Sequence, residues 1–207
     1  SIKAILVACG TVSTTALPQL RQESDIPILG VVEPACRRAA AVTRNRRVGL
    51  IATAASVRSG AYQRSLRQLD PDIAVTAKAC PLFVPLVENG RFRRGDVVIE
   101  TVAREYLEPL RREGLDTLIL GCTHYPLLTD IIGHIMGPGV TLINTGEEAA
   151  WELKRTLRGL DLLAPEGPAG RATLCASDQP EQFGVMASYF LGESLTRPVQ
   201  PVDIDRY

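Results

Sequence analysis

No apolar run in this chain approaches the roughly 20 residues that would cross a bilayer as a helix. No two cysteines form a C-x-x-C pair, the formal net charge is zero, and the only lysines are Lys3, Lys78 and Lys154. The five cysteines, Cys9, Cys36, Cys80, Cys122 and Cys175, are odd in number and scattered. That argues against a disulfide framework and against a zinc site, so no metal is expected. The densest basic stretch, 37-RRAAAVTRNRR-47, has no aromatic residue among its arginines. Stacking platforms for single-stranded nucleic acid need such aromatics. The stretch is therefore expected to be a solvated helix end or an inter-domain surface, with neither nucleic acid nor membrane as partner. The opening residues lack a basic-then-apolar signal, and the chain reads as cytoplasmic with reduced thiols.

With 207 residues, 45% of them hydrophobic and 22% charged, the chain is long enough for one large domain or two small ones. Short apolar runs alternate with helical patterns, which implies β-α units and a largely parallel sheet. Strands are expected at 3–9, 27–32, 47–53, 73–78, 116–121, 140–144 and 171–176. Helices are expected at 13–22, 34–42, 56–69, 96–113, 126–136, 146–159 and 179–192. Ser56 and Asp96 read as N-caps, and Pro126 suits the first turn of its helix. The segment 163-LAPEGPAGR-171 reads as a mobile loop. A parallel strand is flanked by neighbours, and this chain enters its first strand at once, so further chain upstream of Ser1 is expected.

The most informative pattern is an internal echo. In 5-ILVACGTVSTTAL-17 a strand is followed by a small residue, a cysteine, a threonine and a helix start, and 118-LILGCTHYPLLTDI-131 repeats the series. Both cysteines are thus expected at the carboxyl end of a parallel strand, where open α/β sheets place their ligand sites. That position also offers amide N–H groups and the positive end of a helix dipole, which lower a thiol pKa. The repetition implies two similar lobes with a cleft between them, each offering one thiol. Paired thiols could form a disulfide, bind a soft metal, or act as an acid and a base. The last use suits inversion at a carbon bearing an acidic hydrogen: one thiolate removes the proton and the opposite thiol delivers another.

The wording 118-LILGCTHYPLL-128 closely resembles the second active-site motif of the glutamate racemases that use no pyridoxal phosphate. The stretches 4-AILVACGTVS-13, 26-IPILGVVEP-34, 47-RVGLIATAASVRSGAYQ-63, 80-CPLFVPLVE-88 and 143-INTGEEAA-150 are similar to that family as well. The resemblance implies an α/β fold of two pseudo-symmetric lobes, each a mostly parallel sheet flanked by helices, with the active site in the cleft. It places residues 1–40 and 146–207 in the first lobe and 41–145 in the second. It also implies conversion of L- to D-glutamate for peptidoglycan synthesis, with a small-molecule substrate and no cofactor; a homodimer is left open. Carried over residue by residue, it makes Cys9 and Cys122 the acid/base thiols and has Thr11, Thr123 and His124 hold substrate. His124 also assists Cys122, and Glu88 supplies a nearby carboxylate. The substrate-contacting position between Cys9 and Thr11 is Gly10, where the family carries asparagine. The family's Asp-Ser-Gly segment and its Tyr-Gly pair have no match in these residues and are expected upstream of Ser1. Alternatives are an aspartate or related amino-acid racemase, a non-catalytic amino-acid-binding or regulatory protein on the same scaffold, and a thiol hydrolase using Cys122 and His124.

Overall fold

The computed structural model describes residues 2–167 and 170–206. The chain divides into two compact units, Ser1–Leu163 and Ala164–Tyr207. In the first unit, β1 (Ile5–Val7) pairs in parallel with β2 (Ile28–Gly30), bringing Ile5 opposite Ile28. A second parallel sheet has the order β4-β3-β5-β6, built from β3 (Arg47–Ala52), β4 (Ala74–Ala79), β5 (Thr117–Leu120) and β6 (Thr141–Asn144). Its two central strands are buried almost throughout, as strands covered on both faces should be. This is the parallel α/β architecture expected from the alternating pattern.

One face of the larger sheet packs Val48, Leu50, Ala52, Ile119 and Ile143 against α3 (Val32–Val42) and α5 (Ala61–Leu69). The α3 contribution is Val32, Ala35, Cys36 and Ala39, small residues at helical spacing that let the helix lie close to the strands. Since side chains alternate along a strand, Ile51, Leu118 and Leu120 serve the opposite face, and all are essentially inaccessible.

Several expected helices are divided, each for a local reason. Residues 13–22 form part of two helices, α1 (Gly10–Thr15) and α2 (Leu17–Gln22), with Pro18 in the first turn of the second. The expected 56–69 helix is α4 (Ala54–Ser59) followed by α5, separated by Gly60 in the left-handed region at φ 65°. The N-cap there is Thr53 rather than Ser56: the Thr53 hydroxyl accepts from the Ser56 backbone N–H, while Ser56 is buried inside the helix. Asp96 does cap α7 (Val97–Arg112), accepting from the Val98 backbone N–H. Pro126 opens a 3-10 turn, Tyr125–Leu128, that leads into α8 (Thr129–Met136).

A helix not expected from the sequence, α6, spans Phe83–Glu88. Its Pro85 occupies the first turn, where a backbone N–H has no intrahelical partner to lose. The first unit ends with α9 (Thr145–Gly159), capped by the Asn144 side chain, which accepts from Gly146 and Glu147. The second unit holds β7 (Cys175–Ala176) paired in parallel with β8 (Gln200–Pro201), a strand the sequence pattern does not show, and α10 (Pro180–Leu191). The 163–171 loop lies partly outside the described residues, which omit 168 and 169. No helix among the described residues is long and apolar enough to cross a membrane.

Much of the arginine stretch is engaged within the chain. Arg37 and Arg38 pair with Glu152 and Glu148 on α9, Arg46 with Asp70 and Asp72, and Arg47 donates to the Glu113 carbonyl. The same turn is latched to β5 by Asp116. Its carboxylate accepts from the Thr43 hydroxyl at 2.7 Å, the Arg44 and Asn45 backbone N–H groups at 2.6 and 2.9 Å, and the Thr117 hydroxyl at 2.9 Å. Burial pushes this carboxyl up, but the four hydrogen bonds outweigh it and hold it below the usual carboxylate range. A depressed folded-state pKa stabilises the fold above the unfolded value, near pH 4, and the stabilisation is lost as pH falls through the folded one. Asp116→Asn is therefore expected to lose roughly 1–3 kcal/mol at neutral pH. Urea melts should show the gap between the two proteins closing as pH falls below about 4; a gap independent of pH would count against the latch.

Candidate active site

Cys9 follows β1 and is the N-cap of α1, with extended backbone at φ −102° and ψ 123°. Its thiol is exposed. The turn is held by Ser13, whose hydroxyl donates to the Val7 carbonyl and accepts from the Val31 backbone N–H, tying the end of β1 to the end of β2. Cys122 follows β5 after Gly121 and is only 7% exposed. Both thiols thus sit beyond the carboxyl ends of parallel strands, as the echo predicts.

Glycines set the distance between the two turns. A Cβ on Gly10 would lie 2.5 Å from the Gly121 carbonyl oxygen, so the two cysteine-bearing segments touch backbone to backbone. A Cβ on Gly121 would in turn meet the Ile51 carbonyl oxygen and a Leu50 methyl, both at 2.9 Å. Neither approach tolerates a side chain without a backbone shift. Gly10 therefore does more than lack an amide: asparagine on this backbone would push the Cys9 turn away from the Cys122 turn. The nearest polar side chain is the Ser56 hydroxyl, 3.7 Å from that same Cβ position.

Ser56 belongs to a chain of hydroxyls. Thr11 and Thr53 share a hydrogen bond of 2.9 Å, and the Thr53 hydroxyl donates to Ser56 at 3.1 Å. Thr53 and Ser56 are not among the site residues expected from sequence, where Ser56 reads as an N-cap. Thr53 takes the capping role instead, but contact with Thr11 and the approach of Ser56 to Gly10 bring both to the first thiol's turn.

Around Cys122 the expected side chains converge. Its sulfur lies 3.8 Å from His124 Nδ1, and the Thr123 hydroxyl lies 3.5 Å from the same nitrogen. His124 Nε2 lies 3.1 Å from Glu88 Oε1. An ionised carboxylate only accepts, so Nε2 carries the hydrogen and a neutral His124 presents its Nδ1 lone pair to Cys122. Glu88 reaches His124 from the end of α6, and that helix is fixed by Phe83. The Phe83 ring meets Tyr106 and Tyr125 edge-on, each at 5.2 Å between centroids. Tyr125 is fully buried and donates from its hydroxyl to the Cys80 carbonyl.

The electrostatics of Cys122 differ from the sequence expectation of a lowered thiol pKa. Burial, the largest influence, pushes it up. The His124 backbone N–H pulls it down, the Cys9 charge pushes it up, the Thr123 hydroxyl pulls it down and Glu88 pushes it up, leaving the thiol above its ordinary value. Cys122 precedes a 3-10 turn, Tyr125–Leu128, rather than the first turn of an α-helix. Burial thus favours the protonated form of the Cys122 thiol. Among the described residues, no group of three or more His, Cys, Asp or Glu side chains is placed to hold a metal ion.

Residues 1–153 match the family model described as Asp/Glu/Hydantoin racemase. A glutamate racemase of Geobacter metallireducens is 46% identical over 194 residues, which cover 94% of this chain and 71% of that protein. A glutamate racemase isoform from Bacillus anthracis superposes with a TM-score of 0.90 at 35% identity, over 98% of this chain and 74% of its own. The glutamate racemase of Francisella tularensis subsp. tularensis, solved in complex with D-glutamate, superposes with a TM-score of 0.87 at 31% identity, over 100% of this chain and 75% of its own. The resemblance carried by the two cysteine motifs thus extends through sequence and fold alike: the chain belongs to the Asp/Glu/hydantoin racemase family and is an amino-acid racemase, an isomerase.

Proposed function

We propose that this chain interconverts L- and D-glutamate by a two-thiol acid/base mechanism without a cofactor, supplying D-glutamate for peptidoglycan. The observation that carries the reading is the placement of Cys9 and Cys122 in two turns held in backbone contact by Gly10 and Gly121. The names of the similar proteins support glutamate as the substrate.

In one direction the Cys9 thiolate takes the Cα proton from one face of glutamate and the protonated Cys122 delivers its own proton to the other. In the reverse direction, Cys122 gives up its proton to His124 Nδ1 and then acts as the base, while protonated Cys9 is the acid. Glu88 holds the imidazole in the required tautomer and stabilises the imidazolium that forms. Thr11 and Thr123 are placed to hold the substrate beside each thiol, and the Thr53 and Ser56 hydroxyls extend that polar surface at the Cys9 side. The burial that keeps Cys122 protonated suits it to act first as the acid.

The direct test is incubation with L-glutamate in deuterium oxide. The expected product is D-glutamate carrying deuterium at Cα, detected by chiral chromatography with mass spectrometry. Binding of glutamate without deuterium uptake would overturn the reading in favour of an amino-acid-binding protein. Faster exchange into aspartate than into glutamate would reassign the substrate.

A further inference from the structure

Few polar side chains are buried among the described residues, and two of them make the same contact ahead of the two thiols. Ser13, on α1, donates from its hydroxyl to the Val7 carbonyl at 3.0 Å. Thr145, the first residue of α9, donates from its hydroxyl to the Leu120 carbonyl, also at 3.0 Å. Val7 is the last residue of β1, and Leu120 is the last residue of β5. Each lies two residues before a cysteine, in 7-VAC-9 and 120-LGC-122. The internal echo of the sequence thus has a counterpart in space: a buried hydroxyl holds the final strand carbonyl before each thiol. The two hydroxyls come from different places, Ser13 from the helix that follows Cys9 and Thr145 from beyond β6.

Both carbonyls stand where a parallel ladder runs out. Along β1 and β2 the Ile5 N–H donates to the Pro27 carbonyl, and Val7 lies opposite Gly30. The next donor to Val7 in such a ladder is the Val31 N–H. Ser13 stands between those two groups, giving its hydrogen to Val7 and accepting from Val31 at 3.3 Å. Its own N–H donates to the Cys9 carbonyl at 2.9 Å, so one residue holds the Cys9 turn on both sides. At the second thiol, Leu120 lies opposite Asn144, the end of β6, and Thr145 follows at once. The Gly121 N–H donates to the Ile51 carbonyl at 2.8 Å. Both polar atoms of the Leu120–Gly121 peptide group are therefore bonded, which fixes the plane that leads into Cys122.

We infer that Ser13 and Thr145 are a matched pair of positioning residues, each setting the place of one thiol against the substrate. Any buried carbonyl needs a donor. Two side-chain donors in register with two thiols, from different elements, do more than meet that need. Proton transfer is sensitive to distance, and a displacement of about 1 Å can cost about 10²-fold in rate. The two turns touch backbone to backbone at Gly10 and Gly121, so a released carbonyl lets its own thiol shift relative to the other. This inference deepens the two-thiol reaction proposed above and rests on it.

Ser13→Ala and Thr145→Val each remove one hydroxyl and nearly keep the side-chain volume. Rates are measured from L- and from D-glutamate, with hydrogen and with deuterium at Cα. The enantiomers are equal in energy, so kcat/KM should fall alike from both, by roughly tenfold to 10²-fold in each variant. The isotope effect separates the thiols. In Ser13→Ala the effect on kcat/KM is expected to rise only for the enantiomer whose Cα proton Cys9 removes, because that transfer has become slower. In Thr145→Val it is expected to rise only for the other enantiomer. Thr145→Ser keeps the hydroxyl and should return the values of the unaltered chain. Hydroxyls that merely stabilise the fold leave both isotope effects where they were. Unchanged responses, or equal responses from the two enantiomers, in a variant whose thermal melt shows it folded would overturn the inference. If one variant does not fold, the other still decides, since a one-sided response is required of each. An unaltered chain that exchanges no Cα hydrogen would overturn the two-thiol reading itself, and this inference with it.

Discussion

Cys122→Ser is expected to abolish interconversion of glutamate from either enantiomer, lowering kcat by at least about 10³-fold, within the range a positioned acid or base contributes. Circular dichroism of the amino acid, started from L- and from D-glutamate in separate runs, measures it. The argument rests on proton affinity rather than shape. A serine hydroxyl would fill the Cys122 site and could still donate to His124 Nδ1, now 3.8 Å from the sulfur. Yet burial already makes ionisation costly there, pushing even a thiol upward, and an alcohol starts from a far higher pKa. The variant therefore supplies neither a usable base nor a well-matched acid. Both directions fail together, because each uses Cys122 once, as acid or as base. Retained turnover in one direction would show that water or His124 can replace the thiol, and the symmetric two-thiol scheme would have to be abandoned.

Phe83→Ala is expected to cost about 3–5 kcal/mol of stability, the range for removing a buried aromatic ring. Urea or thermal unfolding followed by far-UV circular dichroism measures it. Phe83 is fully buried and joins three parts of the fold by edge-on ring contacts: its own helix α6, α7 through Tyr106, and the cysteine-bearing turn through Tyr125. Its loss leaves a cavity at the place where Glu88 is held toward His124, so activity should fall beyond what unfolding explains. A variant that loses stability but keeps full kcat at a temperature where it is folded would show that α6 positions Glu88 without help from the ring.

The parts of the fold legible in the sequence are those set by local periodicity. Strands β3 and β5 read as apolar runs because each is buried between layers, and α7 announced itself through Asp96 and a long amphipathic pattern. Boundaries failed where a single residue changes the backbone, as at Gly60 and Pro18. Helix α6 was hidden because 80-CPLFVPLVE-88 carries two prolines that break a helical pattern, although Pro85 falls where helices accept proline. Ser56 looked like a cap because a serine before a helical run often is one; Thr53, three residues earlier, takes the role.

The sequence by itself determined that the two thiols lie at strand ends. The repeated strand–cysteine–threonine order, with His124 beside the second thiol, is enough for that, because chain order alone puts such residues on the loops that follow parallel strands. Tertiary structure decided what those thiols experience. Only folding brings Gly10 against the Gly121 carbonyl and carries Glu88 from α6 to His124. It also reversed the expected direction for Cys122, since desolvation depends on everything packed around a group, and no neighbour in sequence reports it.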